Sequence, residues 1–306
     1  MIKKLNPVDT ITLIYASIID CFIIYGWSRI EHPLRQILLH FSIIILILGL
    51  TYLHGKFPKS KFVFFLRLSY PLVLYGYFFE SVSHLNLLIF HDYIDGFFQK
   101  IDFSIFGYQP TLYWGTHFDT FFLQELFHFS YFSYYLMFFI LAITLFVKRK
   151  YEYLGEFIFT LSFVFYICFL TYVILPVIGG RFYPEAMELA KTLRYGIFTK
   201  IMAEIYIHSP HLGGAFPSSH VAIALVLMLS ALKYEKKLGF VFIPITLLLS
   251  IATVYCHYHY FTDVLGGILY VIIFYPLSFK LYSKLENIFR IKYYEEKNIS
   301  YEKSKV

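Results

Sequence analysis

The stretch GEFIFTLSFVFYICFLTYVILP, residues 155–176, decides the fold class of this chain. It is apolar along almost its whole length, and about 20 such residues form an α-helix that crosses the hydrocarbon core of a bilayer. Seven further apolar runs are candidates for the same role, and they cover residues 10–28, 35–54, 62–84, 119–147, 217–233, 238–255 and 262–282. The sequence therefore predicts an all-α protein, a polytopic membrane bundle of about eight transmembrane helices.

Composition agrees with a membrane protein. Of the 306 residues, 58% are hydrophobic and 15% are charged, whereas soluble domains carry about 45–50% apolar and 25% charged residues. These values exclude a soluble enzyme, a disordered chain and a nucleic-acid-binding protein, so the net charge of +6 is no sign of a nucleic-acid partner. The three cysteines lie too far apart to predict a disulfide framework or a cysteine zinc site.

Basic residues predict the orientation of the bundle. With the N-terminus in the cytoplasm, most of the 26 lysines and arginines fall in cytoplasmic loops and in the C-terminal segment, as the positive-inside rule requires. Both termini are then cytoplasmic. The segment 91–115 between the third and fourth spans is aromatic and contains acids, Gly and Pro, so we expect it to lie in the membrane interface rather than to cross it.

Three polar patches fall on the membrane face opposite the termini. Arg181 follows the fifth span, FPSSH at 216–220 opens the sixth, and HYHYFTD at 257–263 joins the last two. Pro217 followed by two serines is typical of a helix start. The free N–H groups at a helix N-terminus bind phosphate oxygens, so this patch predicts a phosphate site.

The histidines of these patches suit phosphoryl transfer. His259 and Asp263 are four residues apart, so they share a helix face if a helix begins near His259. A carboxylate there can accept one imidazole N–H and leave the other nitrogen free to attack, as in a catalytic triad. With Arg181 as a permanent charge for phosphate and His220 in the first helical turn, one histidine would attack phosphorus and the other would protonate the leaving oxygen.

The order of Arg181, PSSH and H-x-x-x-D at helix boundaries resembles the type-2 phosphatidic acid phosphatase superfamily, whose members are integral-membrane lipid phosphatases and phosphotransferases. The resemblance covers roughly residues 155–282. It implies that His259 is the nucleophile that forms a phosphohistidine, that Asp263 orients it, and that His220 is the general acid.

The same resemblance implies how the phosphate is held. Arg181 and the backbone of Ser218 and Ser219 would bind it, and no metal or other cofactor is needed. The domains would be two N-terminal helices of unknown role (1–60), a lipid phosphatase-like membrane domain (61–285) and a basic cytoplasmic tail (286–306).

The chain departs from the family pattern in its cations. The family's first motif has a lysine seven residues before its arginine, where this chain has Ile174, and the arginine of the last motif falls at Thr253. These departures resemble the branch that includes inositol phosphorylceramide and sphingomyelin synthases. Nearby side chains are candidates to replace the missing charge and contact the substrate: His257, Lys191, Arg194 and Lys200.

The predicted function is that of a lipid phosphate phosphatase in the cell membrane, with its active site on the extracytoplasmic face. Its partners would be a lipid phosphate substrate and membrane lipids. Three alternatives stay open: a lipid phospho-headgroup transferase that uses a hydroxyl acceptor, a transporter or non-catalytic membrane protein, and a zinc-dependent membrane hydrolase.

Ionisable residues inside the spans are costly in lipid and need partners. Glu80 with His84, and Glu125 with His128, have helical spacing near the outer face. We expect each pair either to bond internally or to support the site or a headgroup.

Overall fold

In the computed structural model the described residues are 5–192, 196–208 and 211–296. These residues form helices and no β-strand, apart from an isolated parallel bridge between Val177 and Gly214, so the predicted all-α class is confirmed. The helices in chain order are α1 (Pro7–Tyr25), α2 (Pro33–Lys56), α3 (Lys61–Ser69), α4 (Pro71–Ser83), α5 (Asp95–Phe106), α6 (Pro110–His117), α7 (Phe121–Val147), α8 (Tyr151–Ile174), α9 (Pro184–Thr192), α10 (Ile197–Ile207), α11 (Ser219–Tyr234), α12 (Lys236–Tyr255) and α13 (Phe261–Glu296).

Seven helical segments of the described chain are long and apolar enough to cross a membrane. They are α1, α2, α3 together with α4, α7, α8, α12, and α13 as far as Ile288. The remaining predicted span, at 217–233, corresponds to α11, which is apolar but has 16 residues, fewer than the roughly 20 that a span needs. The multi-pass class is confirmed, while the count of eight spans and the cytoplasmic termini stay predictions.

The third predicted span is divided at Pro71. The apolar run 62–84 predicts one continuous helix, but α3 ends at Ser69 and α4 begins at Pro71. Proline lacks the backbone N–H that would continue the helical ladder, and its ring clashes with the preceding turn. The new helix starts with the N–H of Val73 donating to the carbonyl of Tyr70 at 3.2 Å.

Helix α8 forms the centre of the bundle. It packs against α1, α4, α11 and α13, and 78% of its membrane-spanning part is buried, against 28–44% for the other candidate spans. Hydroxyl groups of α8 bond to Thr12 of α1, Tyr75 of α4 and Tyr270 of α13, and these polar contacts with three helices suit a central position. The outer helices instead present large apolar side chains outward, as a lipid-facing surface requires.

Ion pairs gather at the end of the bundle where α7 leads into α8. Lys148 and Lys150 bind Glu235 at 2.5 and 2.8 Å, and Lys233 binds Glu156 at 2.8 Å. These contacts join the α7–α8 and α11–α12 connections on one side, as the predicted alternation of the spans requires. The polar patches identified in the sequence lie at the opposite end.

The two N-terminal helices are joined to the rest by polar contacts. Asp20 of α1 accepts a hydrogen bond from His40 Nδ1 of α2 at 2.6 Å, and His40 Nε2 lies 3.3 Å from the hydroxyl of Ser81 in α4. Thr12 of α1 bonds to the hydroxyl of Tyr166 in α8 at 3.0 Å. The N-terminal pair therefore packs onto the same bundle, and the domain boundaries at 60/61 and 285/286 stay predictions.

Candidate active site

The three polar patches converge at one end of the bundle. The segment after α8 contacts the segment before α11, where the N–H of Ala215 donates to the carbonyl of Val177 at 2.9 Å. The start of α11 contacts the start of α13, where the N–H of Ser218 donates to the carbonyl of Asp263 at 2.9 Å. Residues separated by about 40 to 80 positions in the sequence thus surround one small space.

His259 and Asp263 form a buried pair. His259 Nδ1 lies 3.4 Å from Asp263 Oδ2, and the same oxygen accepts the N–H of Tyr260 at 2.8 Å. Helix α13 begins at Phe261, so His259 immediately precedes the helix. The bond to the carboxylate keeps a proton on Nδ1 and leaves Nε2 as the nitrogen with a free lone pair.

His220 is the second residue of α11 and faces His259. The two ring centroids are 5.8 Å apart, and the ring of His220 also packs against Tyr131 and Tyr134 of α7, at 4.7 and 4.8 Å. Within the described residues, His220 Nδ1 is buried and makes no hydrogen bond. The structure therefore brings together the two histidines that the sequence singles out.

Arg181 is held over aromatic rings beside the histidines. It lies in a 3₁₀ turn, Gly180–Phe182, with its guanidinium carbon 4.2 Å from the ring centre of Tyr206 and 5.0 Å from that of Phe182. Its Nη2 donates to the carbonyl of Tyr206 at 3.1 Å. Since guanidinium has five N–H donors, most of its capacity is not used by this bond.

Arg181, His220 and His259 line one cavity of about 90 Å³. A cavity measured in this way needs roughly 10–15 Å³ to hold one water molecule, so this one has room for a phosphoryl group. We name it the polar cavity, and its lining residues are Phe79, Tyr131, Tyr135, Ile178, Arg181, Phe182, Ile205, Tyr206, His211, Gly214, Ala215, His220, Tyr258 and His259.

The two serines take a different place from the predicted one. The Ser218 side chain caps α11 by accepting the N–H of Val221 at 3.4 Å, and its own N–H donates to the carbonyl of Asp263. That backbone group is therefore not available to a phosphate, and the prediction for Ser218 is wrong on this point. Ser219 is buried and lines a neighbouring apolar cavity rather than the polar one.

His257 does not contact the polar cavity. Its Nδ1 donates to the carbonyl of Thr111 in α6, its ring packs against Gly115, and burial lowers its pKa. A neutral ring that faces α6 cannot replace a missing cation, so the prediction that His257 contacts the substrate is wrong.

Lys200 is exposed on α10 and is also absent from the cavity lining. Arg194 lies outside the described residues, as does the side chain of Lys191.

His211 is a cavity residue that sequence reasoning missed. It precedes FPSSH, stacks on Phe79 of α4 with 4.0 Å between ring centres, and lines the polar cavity. Within the described chain neither ring nitrogen makes a hydrogen bond, and burial lowers the pKa of His211 to about 3. Its proximity to the PSSH motif was the available signal.

Two acids in the segment 91–115 were also missed. Asp95 of α5 accepts the N–H groups of Ile178 and Gly179 at 3.0 Å each, directly before Arg181. Asp102 accepts the N–H groups of Phe261 and Thr262, at 2.8 and 2.9 Å, and so caps α13. The signal was a pair of acids in an aromatic segment that borders the site.

Glu125 and His128 are expected either to bond to each other or to support the site, and in the structure each bonds to backbone groups. Glu125 accepts the N–H groups of Phe198 and Thr199 at 3.0 Å each, so it caps α10 instead. His128 Nδ1 donates to the carbonyl of Gln124 at 2.7 Å. Four carboxylates near the site therefore accept backbone N–H groups: those of Asp95, Asp102, Glu125 and Asp263. These bonds account for acids that would be costly so close to lipid without a partner.

The fold and the site define a class, a multi-pass helical membrane protein with a histidine–aspartate centre at one end of the bundle. A family model described as the PAP2 superfamily matches residues 108–277, more than half of the chain. The protein therefore belongs to the PAP2 superfamily, whose members are generally phosphatases or phosphotransferases. The resemblance found in the sequence is confirmed at this level, and the synthase-like branch stays a prediction.

The chain is similar to a PA-phosphatase related-family protein of Dictyostelium discoideum, with 40% identity over 88 residues. The similar part is 28% of this chain and 16% of the relative, so the chain matches only a small fraction of the relative's length. No solved structure matches the chain.

Proposed function

We propose that the protein is a lipid phosphate phosphatase that acts through a phosphohistidine on His259. The observation that carries the proposal is the polar cavity, in which two facing imidazoles and one arginine surround a space of about 90 Å³. The pairing of His259 with Asp263 supports the choice of nucleophile, because of the two facing imidazoles it is His259 that bonds to a carboxylate in the described residues.

In the proposed first step, His259 Nε2 attacks phosphorus. The P–N bond forms as the bond between phosphorus and the lipid oxygen breaks, and His220 gives its proton to that leaving oxygen. Asp263 stabilises the positive charge that develops on His259. Arg181 neutralises the phosphoryl oxygens by charge and by N–H donation.

In the second step, water attacks the phosphohistidine. His220, now neutral, takes a proton from that water, the P–N bond breaks, and inorganic phosphate leaves with His259 restored. The bound phosphate favours the protonated state of His220 at the start of each cycle, because an opposite charge stabilises an imidazolium. The scheme needs no metal, and no group of three or more His, Cys, Asp or Glu in the described chain is arranged to hold one.

We further propose that the site lies on the extracytoplasmic face of the cell membrane. The basic residues near the α7–α8 and α11–α12 connections support this orientation, since cytoplasmic loops carry an excess of Lys and Arg. A transferase is the second candidate. The chain has Ile174 and Thr253 where the family has cations, and the absence of these two cations resembles the synthase branch. Thr253 is fully buried, and its hydroxyl donates to the carbonyl of Ser250.

Phosphate release from the purified, detergent-solubilised full chain tests the proposal. Phosphatidic acid, a prenyl pyrophosphate and a lysolipid phosphate would be supplied with EDTA present. We expect release that is abolished in His259→Ala, at least about a thousandfold below the unaltered protein, and an acid-labile phosphoprotein that the variant cannot form.

His208→Ala is the matched control, because His208 is exposed at the end of α10 and lies outside the polar cavity. Its phosphate release should equal that of the unaltered protein. Absence of release from every lipid would overturn the phosphatase, and formation of a new phospholipid from a hydroxyl-bearing lipid would establish the transferase in its place.

A further inference from the structure

The two positions where the family has cations lie away from the polar cavity. Ile174 is 44% exposed at the end of α8, and Thr253 is fully buried in α12. Among the described residues that line the cavity, Arg181 is the one lysine or arginine. A transferring phosphoryl group spreads its charge over three equatorial oxygens, so further hydrogen-bond donors are needed there.

Four tyrosines line the polar cavity, and one of them is enclosed completely. Tyr135, Tyr206 and Tyr258 are partly exposed, whereas Tyr131 of α7 is fully buried. The hydroxyl of Tyr131 therefore cannot reach bulk solvent. Since the large majority of buried side-chain polar atoms have a hydrogen-bond partner, the proton of Tyr131 requires an acceptor within the bundle.

A hydrogen bond from Tyr206 leaves that proton available. The hydroxyl of Tyr206 donates to the hydroxyl oxygen of Tyr131 at 2.7 Å, so Tyr131 is the acceptor in this pair and keeps its own proton for another partner. Within the described residues this is the hydrogen bond that the Tyr131 hydroxyl makes. The ring of Tyr131 packs against His220, with 4.7 Å between ring centres. Because Tyr131 lines the polar cavity, a ligand in that cavity is the acceptor within reach.

We infer that the hydroxyl of Tyr131 donates a hydrogen bond to an equatorial oxygen of the transferring phosphoryl group. This inference rests on the proposed function and adds Tyr131 to its catalytic residues. The O–H supplies part of what the missing cations would supply, because hydrogen bonds to a charged acceptor are roughly twice as strong as those between neutral groups. Arg181 then binds the phosphoryl group from the loop after α8, and Tyr131 binds it from α7.

Tyr206 of α10 holds both of these donors. Its ring centre lies 4.2 Å from the guanidinium carbon of Arg181, its carbonyl accepts a hydrogen bond from Nη2 of Arg181, and its hydroxyl donates to Tyr131. Tyr206 acts on the phosphoryl group through Arg181 and Tyr131, so we assign it as a positioning residue. Loss of its hydroxyl alone would free Tyr131 to rotate its proton, while the ring and the carbonyl would still hold Arg181.

Removal of single hydroxyl groups tests the assignment. Tyr131→Phe keeps the ring that packs against His220 and deletes the proposed donor. Tyr206→Phe keeps the contacts with Arg181 and deletes the hydrogen bond to Tyr131. Tyr15→Phe is the matched control, because Tyr15 is 2% exposed in α1, its hydroxyl makes no hydrogen bond in the described residues, and it does not line the polar cavity.

Phosphate release from phosphatidic acid by the detergent-solubilised full chain is the first measurement. We expect Tyr131→Phe to lower kcat/KM about 10- to 100-fold, the range for loss of one hydrogen bond to a charged group. Tyr206→Phe should lower it about three- to tenfold. The double variant should lie within about twofold of Tyr131→Phe, because the Tyr206 hydroxyl acts through Tyr131. Tyr15→Phe should lie within about twofold of the unaltered protein.

Vanadate separates a contact with the reacting group from a structural role, because it adopts the five-coordinate geometry of phosphoryl transfer. Its inhibition constant should rise in Tyr131→Phe by about the same factor as kcat/KM falls. Inorganic phosphate gives a readout without turnover. It should raise the melting temperature of the unaltered protein and raise that of Tyr131→Phe much less.

Unchanged kcat/KM and vanadate inhibition in Tyr131→Phe would overturn the inference and leave the proposed function intact. Equal losses in Tyr131→Phe and Tyr15→Phe would also overturn it, since the effect would then come from stability. If the unaltered protein released no phosphate from any lipid, the proposed function would fail, and the melting temperatures would still decide on Tyr131. Equal shifts with phosphate would then remove this inference as well, whereas a shift that is lost in Tyr131→Phe would support the hydrogen bond to phosphate.

Discussion

Two histidine–carboxylate pairs lie in this bundle, and their surroundings differ. His40 is bonded on both sides, to Asp20 at 2.6 Å and to Ser81 at 3.3 Å, so both ring nitrogens are occupied by neighbouring helices. His259 is bonded to Asp263 at 3.4 Å and faces the polar cavity. The same pair of residue types thus joins helices in one region and leaves a nitrogen available for chemistry in the other. A histidine–carboxylate pair indicates a site only where the second nitrogen reaches open space.

Replacing the carboxylate of each pair tests this difference, and we expect it to give the largest effect on activity. Asp263→Asn removes the charge that stabilises His259 during attack, and we expect phosphate release to fall on the order of a hundred- to ten-thousandfold. Asp20→Asn should leave kcat within about twofold and lower the melting temperature, because it weakens only the contact between α1 and α2. Phosphate release and thermal unfolding of the two detergent-solubilised variants check the prediction. Equal activity losses would mean that both pairs serve the reaction.

The replacement of His220 is expected to give an effect of the same order. His220→Gln removes the proton donor, and we expect kcat for alkyl phosphates to fall about 10²–10⁴-fold. The loss should be much smaller for the first turnover of p-nitrophenyl phosphate, because its leaving group departs without a proton and the first turnover does not include the attack of water. The ratio of the two rates measures the proton transfer itself. A variant that loses both activities to the same extent would place His220 in phosphate binding rather than in acid catalysis.

His211 is expected to have the smallest effect. Its ring lines the polar cavity beside Arg181, so His211→Gln should raise KM several-fold and change kcat little. The control His208→Ala should leave KM unchanged. A fall in kcat with constant KM would contradict a contact with the ground-state phosphate.

The same variant tests the burial of His211. Burial lowers the pKa of His211 from 6.5 to about 3, so between these values the unfolded chain binds a proton that the folded chain does not. Stability therefore falls as pH decreases through this window. The melting temperature of His211→Gln should decline less steeply than that of the unaltered protein between pH 6.5 and pH 4. Parallel curves would contradict the burial of this ring.

Much of the molecule follows from local patterns in the sequence. The apolar runs predict the spans because a helix in lipid must satisfy its own backbone hydrogen bonds. His220, His259, Asp263 and Arg181 are recognisable from helix-start chemistry and from i,i+4 spacing. The break at Pro71 is also local in origin, although the hydropathy of the run concealed it.

Tertiary packing decided the rest. Asp95, Asp102 and Glu125 cap segments about 70 to 160 residues away, and no short-range spacing reports a partner at that distance. Packing also turned His257 toward α6 and His211 into the cavity, although both are histidines next to a motif. The sequence by itself determined which residues can do the chemistry, because residue type and helical period are local. Which of them share a cavity depended on how the helices pack, because that is set by contacts between distant parts of the chain.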